Sequence, residues 1–145
     1  MNSLYLILCT VLLGLLSWAA WKDIKTGTLP ILIMIILAAA GILLKVIFGE
    51  AGVLEILSGC IPGAIAFTLA YITRQAIGYG DAALITVTGI YLGLSANVCL
   101  VLCALVLSAL TAIVLLVIKK KRRKDEMPFA PFMLGSYILM MAVNI

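Results

Sequence analysis

Long apolar runs, separated by short polar segments, make up most of this chain. A helix needs about 20 mostly apolar residues to cross a membrane, and the runs approach that length. The pattern therefore predicts an all-α polytopic membrane protein with about six transmembrane helices. The predicted spans are residues 4–21, 29–48, 53–73, 82–96, 98–118 and 129–144. The fourth and fifth spans are expected to join near residues 95–97.

Prolines mark three of these predicted spans. Pro30 opens the second span, where proline suits the first turn of a helix. Pro62 lies inside the third span and is expected to kink or weaken that helix. Pro128 and Pro131 come just before and within the start of the last span.

Basic residues occur almost entirely in alternate loops. Lys22 and Lys25 follow the first span, Arg74 follows the third, and a run of six lysines and arginines at 119–124 follows the fifth. Positive loops stay cytoplasmic, so we expect these loops inside and both termini outside. Lys45, at an outer helix end, is the exception, and we expect its side chain to snorkel.

The composition leads to the same class of protein. The chain is 66% hydrophobic and 11% charged, whereas soluble domains carry about 25% charged residues. We therefore expect one integral-membrane domain over residues 1–145 and no separate soluble domain. The first apolar run, Leu4–Trp21, is too long for a signal-peptide core and is expected to stay as a span.

The net charge of +4 comes mainly from the run at 119–124. Apolar stretches flank this run on both sides, which indicates a loop at the membrane surface. Such a loop is either simply solvated or bound to anionic lipid. Membrane lipid is therefore an expected partner, and nucleic acid is not.

The residue types exclude several kinds of catalytic site. The chain has no histidine, and its four cysteines form no Cys-x-x-Cys pair. A zinc site, a Ser-His-Asp triad and a Cys-His pair are therefore not expected. No metal or organic cofactor is expected either. The cysteines lie inside apolar runs and are interpreted as small packing residues.

Two aspartates lie at the edges of apolar segments. Asp23 ends the first span and Asp81 begins the fourth, so the predicted topology places both at the cytoplasmic face. Ionisable residues at membrane depth are candidates for function. Two simpler interpretations stay open. Asp81 could cap the start of its helix, and Asp23 could be an interfacial charge beside Lys22.

The residues before Asp81 read Gly78-Tyr79-Gly80-Asp81. Glycine allows backbone conformations closed to other residues, and it lets an extended substrate strand come close. A peptidase that cuts within a helix-forming segment must hold that segment unwound, and such a loop suits this task. The glycines alone would indicate only a loop.

Three features together resemble a known family. Gly78–Asp81 resembles the GxGD motif of intramembrane aspartic peptidases. Asp23, a basic stretch and then Pro30 resemble the first motif of the type IV prepilin peptidases. Residues 127–134, which read Met-Pro-Phe-Ala-Pro-Phe-Met-Leu, resemble that family's entry to its last span. The three features occur in the family's order. Presenilin-type proteases are a poorer match.

The resemblance implies an aspartic endopeptidase with Asp23 and Asp81 as its catalytic pair. It also implies that Gly78 and Gly80 serve substrate binding or loop geometry. The substrate would be a prepilin-like protein with a short basic leader and an apolar helix, cut at the cytoplasmic face of the inner membrane. The oligomeric state stays open.

The chain is similar to the compact, peptidase-only members associated with Tad/Flp-type pili, because it has no cytosolic cysteine-bearing region for methylation. It departs from the family at two positions: Ala83 stands where lysine is frequent, and Ile31 where asparagine is common. These departures bear on substrate subtype and local geometry. The alternative function is a small transporter or a non-catalytic membrane assembly subunit, since short glycine-interrupted helices also occur at transporter sites.

Overall fold

The protein is a bundle of α-helices. The structure, a computed structural model, describes residues 3–48, 52–73, 78–119 and 128–143, and this part contains no strand. Its helices are α1 (Ser3–Thr26), α2 (Ile31–Ile47), α3 (Val53–Gly59), α4 (Ile61–Ile72), α5 (Tyr79–Leu92), α6 (Leu94–Lys119) and α7 (Ala130–Val143). The predicted all-α fold is confirmed.

The helices correspond to the six predicted spans, because α3 and α4 together form one apolar segment. Among the described residues, three segments are long and apolar enough to cross a membrane: Leu6–Thr26, Val53–Ile72 and Leu94–Val117. Ile31–Ile47 and Ala130–Val143 are shorter apolar helices. These lengths and the apolar composition fit a membrane protein.

The join between α5 and α6 is at Gly93, and the prediction of a join at 95–97 is wrong. Gly93 has φ 79° and ψ 178°, a conformation that favours glycine. Its backbone N–H donates to the carbonyl of Gly89 at 2.8 Å, which closes the end of α5. The polar residues at 95–97, which resembled a loop, lie within the first turns of α6.

Asn97 is fully buried and bonds to two neighbouring helices. Its side-chain amide donates to the carbonyls of Ile85 at 3.0 Å and Gly59 at 3.4 Å. The hydroxyl of Thr88 donates to the Asn97 side-chain oxygen at 2.8 Å. One side chain of α6 therefore connects to both α3 and α5, which explains why a polar residue occupies this apolar site.

The predicted disturbance at Pro62 is confirmed. The helical segment is divided at Cys60, and Pro62 lies in the first turn of α4, where its missing N–H leaves no bond unmade. A hydrogen bond still bridges the two helices, because Ala64 donates to the carbonyl of Cys60 at 2.9 Å.

Helix α5 lies at the centre of the bundle and contacts α1, α2, α3, α4 and α6. Its buried residues, Ala82–Ile85 and Val87–Tyr91, cover all sides of the helix. Close packing on one side depends on Gly63 and Gly89. A Cβ atom at Gly63 would collide with Thr86, and one at Gly89 would collide with the backbone of Gly59. Asp81 therefore lies on the most enclosed helix of the bundle.

Lys45 is buried, and the prediction that it snorkels to the surface is wrong. Its side chain is 5% exposed, and its ammonium group forms an ion pair with Glu55 at 3.3 Å. A lysine that faces a neighbouring helix instead of lipid needs a partner for its charge, and Glu55 of α3 supplies it.

The charge pattern that predicts the orientation lies largely outside the described residues. Arg74 and residues 120–124 are among those that the structure does not describe. The prediction of basic loops inside and termini outside therefore stays a prediction. The same holds for the prediction of a single integral-membrane domain.

Candidate active site

Helix α1 ends one turn after Asp23. Gly27 has φ 62°, the left-handed conformation that commonly follows a helix, and its N–H donates to the Asp23 carbonyl at 2.8 Å. Asp23 therefore lies in the last turn of α1. A negative side chain is disfavoured at this end of a helix, where the dipole is also negative.

The start of α7 offsets this disadvantage. The Asp23 side chain is 6% exposed, and its Oδ2 accepts a hydrogen bond from the backbone N–H of Ala130 at 3.0 Å. Ala130 is the first residue of α7. The positive end of the α7 dipole therefore faces a carboxyl group carried by α1.

The sequence at the start of α7 explains why the N–H of Ala130 is available to Asp23. Pro131 has no N–H, and the amides of Phe132 and Met133 donate to the carbonyl of Phe129 at 3.0 and 3.2 Å. Of the four residues in the first turn of α7, Ala130 is therefore the one whose N–H is left to bind a side chain. The segment that resembles the family's entry to the last span therefore binds Asp23.

The neighbouring lysines interact with tryptophan rings. The ammonium group of Lys22 lies 5.6 Å from the ring centre of Trp18, and that of Lys25 lies 4.4 Å from that of Trp21. Both are cation–π contacts. No described basic side chain forms an ion pair with Asp23. Because Asp23 is also buried, its alternative interpretation as an interfacial charge beside Lys22 is not supported.

Asp81 lies in the first turn of α5 and is partly buried. No described residue donates a hydrogen bond to its side chain, whereas a capping role would require a bond from a backbone N–H. Helix α1 contacts α5, and Asp23 is close enough for its charge to act on the Asp81 carboxyl group. Two acids that are far apart along the chain therefore lie on helices that contact each other.

The two glycines before Asp81 have different surroundings. Gly78 precedes α5 with φ −63° and ψ 136°, a conformation open to any residue. Gly80 lies within the first turn of α5 and packs on the loop between α1 and α2. A Cβ atom at Gly80 would lie 2.9 Å from Cβ of Leu29, closer than real Cβ contacts. Tyr79, between the glycines, stacks on Phe67 of α4 with ring centres 6.4 Å apart.

Comparison of the chain with known proteins gives one match. The sequence model of the type IV leader peptidase family matches residues 10–117, about three quarters of the chain. The chain belongs to the type IV leader peptidase family. Searches of curated proteins and of solved structures found no match.

The family match confirms the resemblance deduced from the motifs. It spans Asp23, Asp81 and the glycines between them and ends before Pro128. Membership of this leader peptidase family identifies the protein as peptidase-like. It does not by itself assign catalytic roles to Asp23 and Asp81, which stay predictions.

The sequence did not reveal two neighbours of the candidate site. Ala130 contributes only a backbone N–H, so its residue type does not indicate its role. Pro131, the next residue, does indicate the start of a helix, where backbone N–H groups are free to bind a carboxylate. Leu29 packs against Gly80 through its own backbone and Cβ. Leu29 comes directly before Pro30, a position within the first family motif.

Proposed function

We propose that this member of the leader peptidase family is an aspartic endopeptidase that uses Asp23 and Asp81 as its catalytic pair. It removes the short basic leader of prepilin-like substrates at the cytoplasmic face of the inner membrane. The observation that carries the proposal is the proximity of these two acids on the contacting helices α1 and α5, with Asp23 also bound to the start of α7. Family membership supplies the reaction class.

The chemistry follows from two neighbouring carboxyl groups. Two such groups cannot both ionise cheaply, so the pair holds one proton. The ionised member takes a proton from a water molecule while the neutral member donates its proton to the scissile carbonyl oxygen. The water oxygen bonds to the carbonyl carbon, and a tetrahedral diol forms. The pair still holds one proton, now on the other carboxyl group.

Breakdown of the diol reverses these roles. The carboxyl group that gained a proton gives it to the leaving nitrogen, and the carbon–nitrogen bond breaks. The other carboxylate takes a proton from a diol hydroxyl as the new carboxyl group forms. The pair returns to its starting state without a metal or cofactor. Because the carboxyl groups titrate together, the proton belongs to the pair.

The remaining features fit a compact peptidase of the inner membrane. The proposed substrate has a basic leader inside and an apolar helix in the membrane, so its scissile bond lies at the depth of the predicted acid pair. The run at 119–124 shares the positive charge of the leader. We therefore propose that this run binds anionic lipid instead of the substrate.

The test is the replacement of each acid by its amide. Asp23→Asn and Asp81→Asn should each abolish cleavage of a prepilin-like substrate, because neither amide can exchange the required proton. Both variants should still accumulate in the membrane. Cleavage is measured by the size of the substrate on gels and by sequencing the new N-terminus.

The matched control is Asp125→Asn, which changes the third aspartate of the chain, next to the basic run. It should cleave at the wild-type rate. Wild-type cleavage by either Asp23→Asn or Asp81→Asn would remove that residue from the catalytic role. Absence of cleavage by the wild-type protein would favour a transporter or assembly subunit.

A further inference from the structure

A groove between α4 and α6 opens beside Asp81. It encloses about 270 Å³, and ten of the eleven described residues that line it are apolar. Among these described residues, Asp81 is the one that carries a charge. We call this the α4–α6 groove. Its lining from α4 runs from Pro62 to Leu69, and its lining from α6 runs from Val98 to Leu105.

The α4–α6 groove is open towards the lipid. Ile65 and Leu69 on one wall and Leu102 and Leu105 on the other are exposed on the surface of the bundle. Ala66, between them, is buried and forms part of the floor. A partner that lies in the membrane can therefore enter the groove from the side.

The groove has a direction. Contacts of Gly59 with Gly89 and of Gly63 with Thr86 show that α3 and α4 run antiparallel to α5. The turn at Gly93 makes α6 antiparallel to α5 as well. The higher-numbered lining residues of α4 and α6 therefore lie at the Asp81 end. From Pro62 to Leu69 the groove covers roughly 10 Å, about two helical turns.

We propose that the α4–α6 groove binds one face of the substrate's apolar helix, over the first two turns after the scissile bond. This inference rests on the proposed function. A substrate with its leader inside has an apolar helix that starts at the cut and runs outward. A groove that starts at Asp81 and runs outward has the same direction.

Size and polarity agree with this occupant. A helix is about 10 Å across with its side chains, so 270 Å³ holds the side chains of one face and leaves the helix backbone outside. Side chains three and four residues apart share such a face. The apolar lining offers no partner for a polar group beyond Asp81, so it selects large apolar side chains.

Narrowing the groove tests the proposal. Leu102→Trp places a larger ring in the wall and should lower kcat/KM for a single-span peptide with a basic leader about tenfold. The change should appear mainly as a higher KM, because the lost contact is to the bound helix and not to the reacting bond.

The matched control is Leu110→Trp on the same helix. Leu110 is 56% exposed and Leu102 57%, but Leu110 does not line the groove. Leu110→Trp should cleave at the wild-type rate. Equal kcat/KM values for the two variants would contradict the proposal that the α4–α6 groove binds the substrate helix. A peptide with alanines along one face of its first two turns should regain cleavage by Leu102→Trp, and failure to regain it would also count against the groove.

A second measurement does not depend on turnover. In the Asp23→Asn background, a photoreactive phenylalanine at position 102 should capture the uncut peptide, and the same group at position 110 should not. Capture of lipid alone at position 102 would overturn the proposal. If the wild-type protein does not cleave the peptide, the proposed function is contradicted. If Leu102→Trp cleaves it at the wild-type rate, only the binding role of the α4–α6 groove is contradicted.

Discussion

At the scale of single residues, Asp23 illustrates how the fold accommodates an unfavourable charge. Its helix ends at Thr26, so its carboxyl group lies near the negative end of a helix dipole. The N–H of Ala130 and the positive end of α7 lie against the same group. A charge-assisted bond of this kind contributes about 1.5–3 kcal/mol. The bond therefore orients Asp23 as well as stabilising it.

Gly80 provides a prediction at this scale. Gly80→Ala would place Cβ 2.9 Å from Cβ of Leu29 and 3.2 Å from its carbonyl oxygen, so the first turn of α5 must shift. Asp81 is the next residue, and a displacement of about 1 Å can lower a rate by two orders of magnitude. We expect cleavage to fall at least about tenfold, measured with a prepilin-like substrate.

Gly14→Ala is the control for this change. Gly14 is also within a helix, but a Cβ atom there would meet nothing within 4 Å. Both replacements share the gain in helix propensity, so the difference between them isolates the contact with Leu29. Cleavage by Gly80→Ala at the rate of Gly14→Ala would show that Gly80 does not position Asp81.

The sequence predicts part of the site at this scale. Few acidic residues lie at the edges of apolar runs, so Asp23 and Asp81 are identifiable from composition and position. The bond from Ala130 is not, because it joins residues 107 positions apart through a backbone atom. The reason for glycine at position 80 is also tertiary, since it depends on where Leu29 lies.

At the scale of helices, the turn to α6 and a set of polar bonds hold α5 at the end opposite Asp81. The left-handed conformation of Gly93 reverses the chain, and Asn97 then connects α6 to the carbonyls of Ile85 and Gly59. These bonds hold the central helix against two neighbours. These bonds therefore stabilise the packing of the helix that carries Asp81.

Asn97→Leu tests how much these bonds stabilise the bundle. The variant loses two donated bonds and the bond accepted from Thr88, whose hydroxyl can still donate to the carbonyl of Ile85 at 3.0 Å. Bonds between helices within membranes contribute about 0.6 kcal/mol each, at most about 1.7. We expect the free energy of unfolding in detergent micelles to fall by about 1–2 kcal/mol, measured from the denaturant midpoint.

Ser108→Ala is the matched control for Asn97→Leu. Ser108 is also on α6, but its hydroxyl is exposed and donates only within its own helix, to Leu105 at 2.9 Å. Its removal should leave the midpoint nearly unchanged. Equal midpoints for the two variants would mean that the Asn97 bonds do not stabilise the bundle.

Hydrophobicity predicts the helices but not all of their ends. Apolar runs identify the spans because a helix in lipid must satisfy its own backbone. The sequence pattern misplaces the end of α5 because Ser95 and Asn97 are polar, which is typical of loops. In the structure, Asn97 instead forms hydrogen bonds inside the bundle. Lys45 is misinterpreted in the same way, because its partner Glu55 is on another helix. Hydropathy does not encode such pairings.

At the scale of the whole molecule, the order of the helices brings the site together. Helix α1 packs against α7, α7 packs against α6, and the central α5 reaches α1. The termini of three helices therefore meet where Asp23, Asp81 and Ala130 lie. Antiparallel order predicts equal depth for the two acids, but the lateral neighbours of each helix come only from the structure. The groove beside Asp81 likewise depends on the separation of α4 and α6.

Catalysis by Asp23 and Asp81 requires above all that α1 and α5 lie side by side in the membrane. A double variant, Asp23→Cys with Asp81→Cys, can be made after replacement of the four native cysteines, all of which are free. A short bifunctional thiol reagent should join positions 23 and 81 in membranes, as detected by mass spectrometry. The pair Lys45→Cys with Glu55→Cys, whose native side chains lie 3.3 Å apart, is the positive control. If the reagent joins positions 45 and 55 but does not join positions 23 and 81, the two acids cannot act as one catalytic pair.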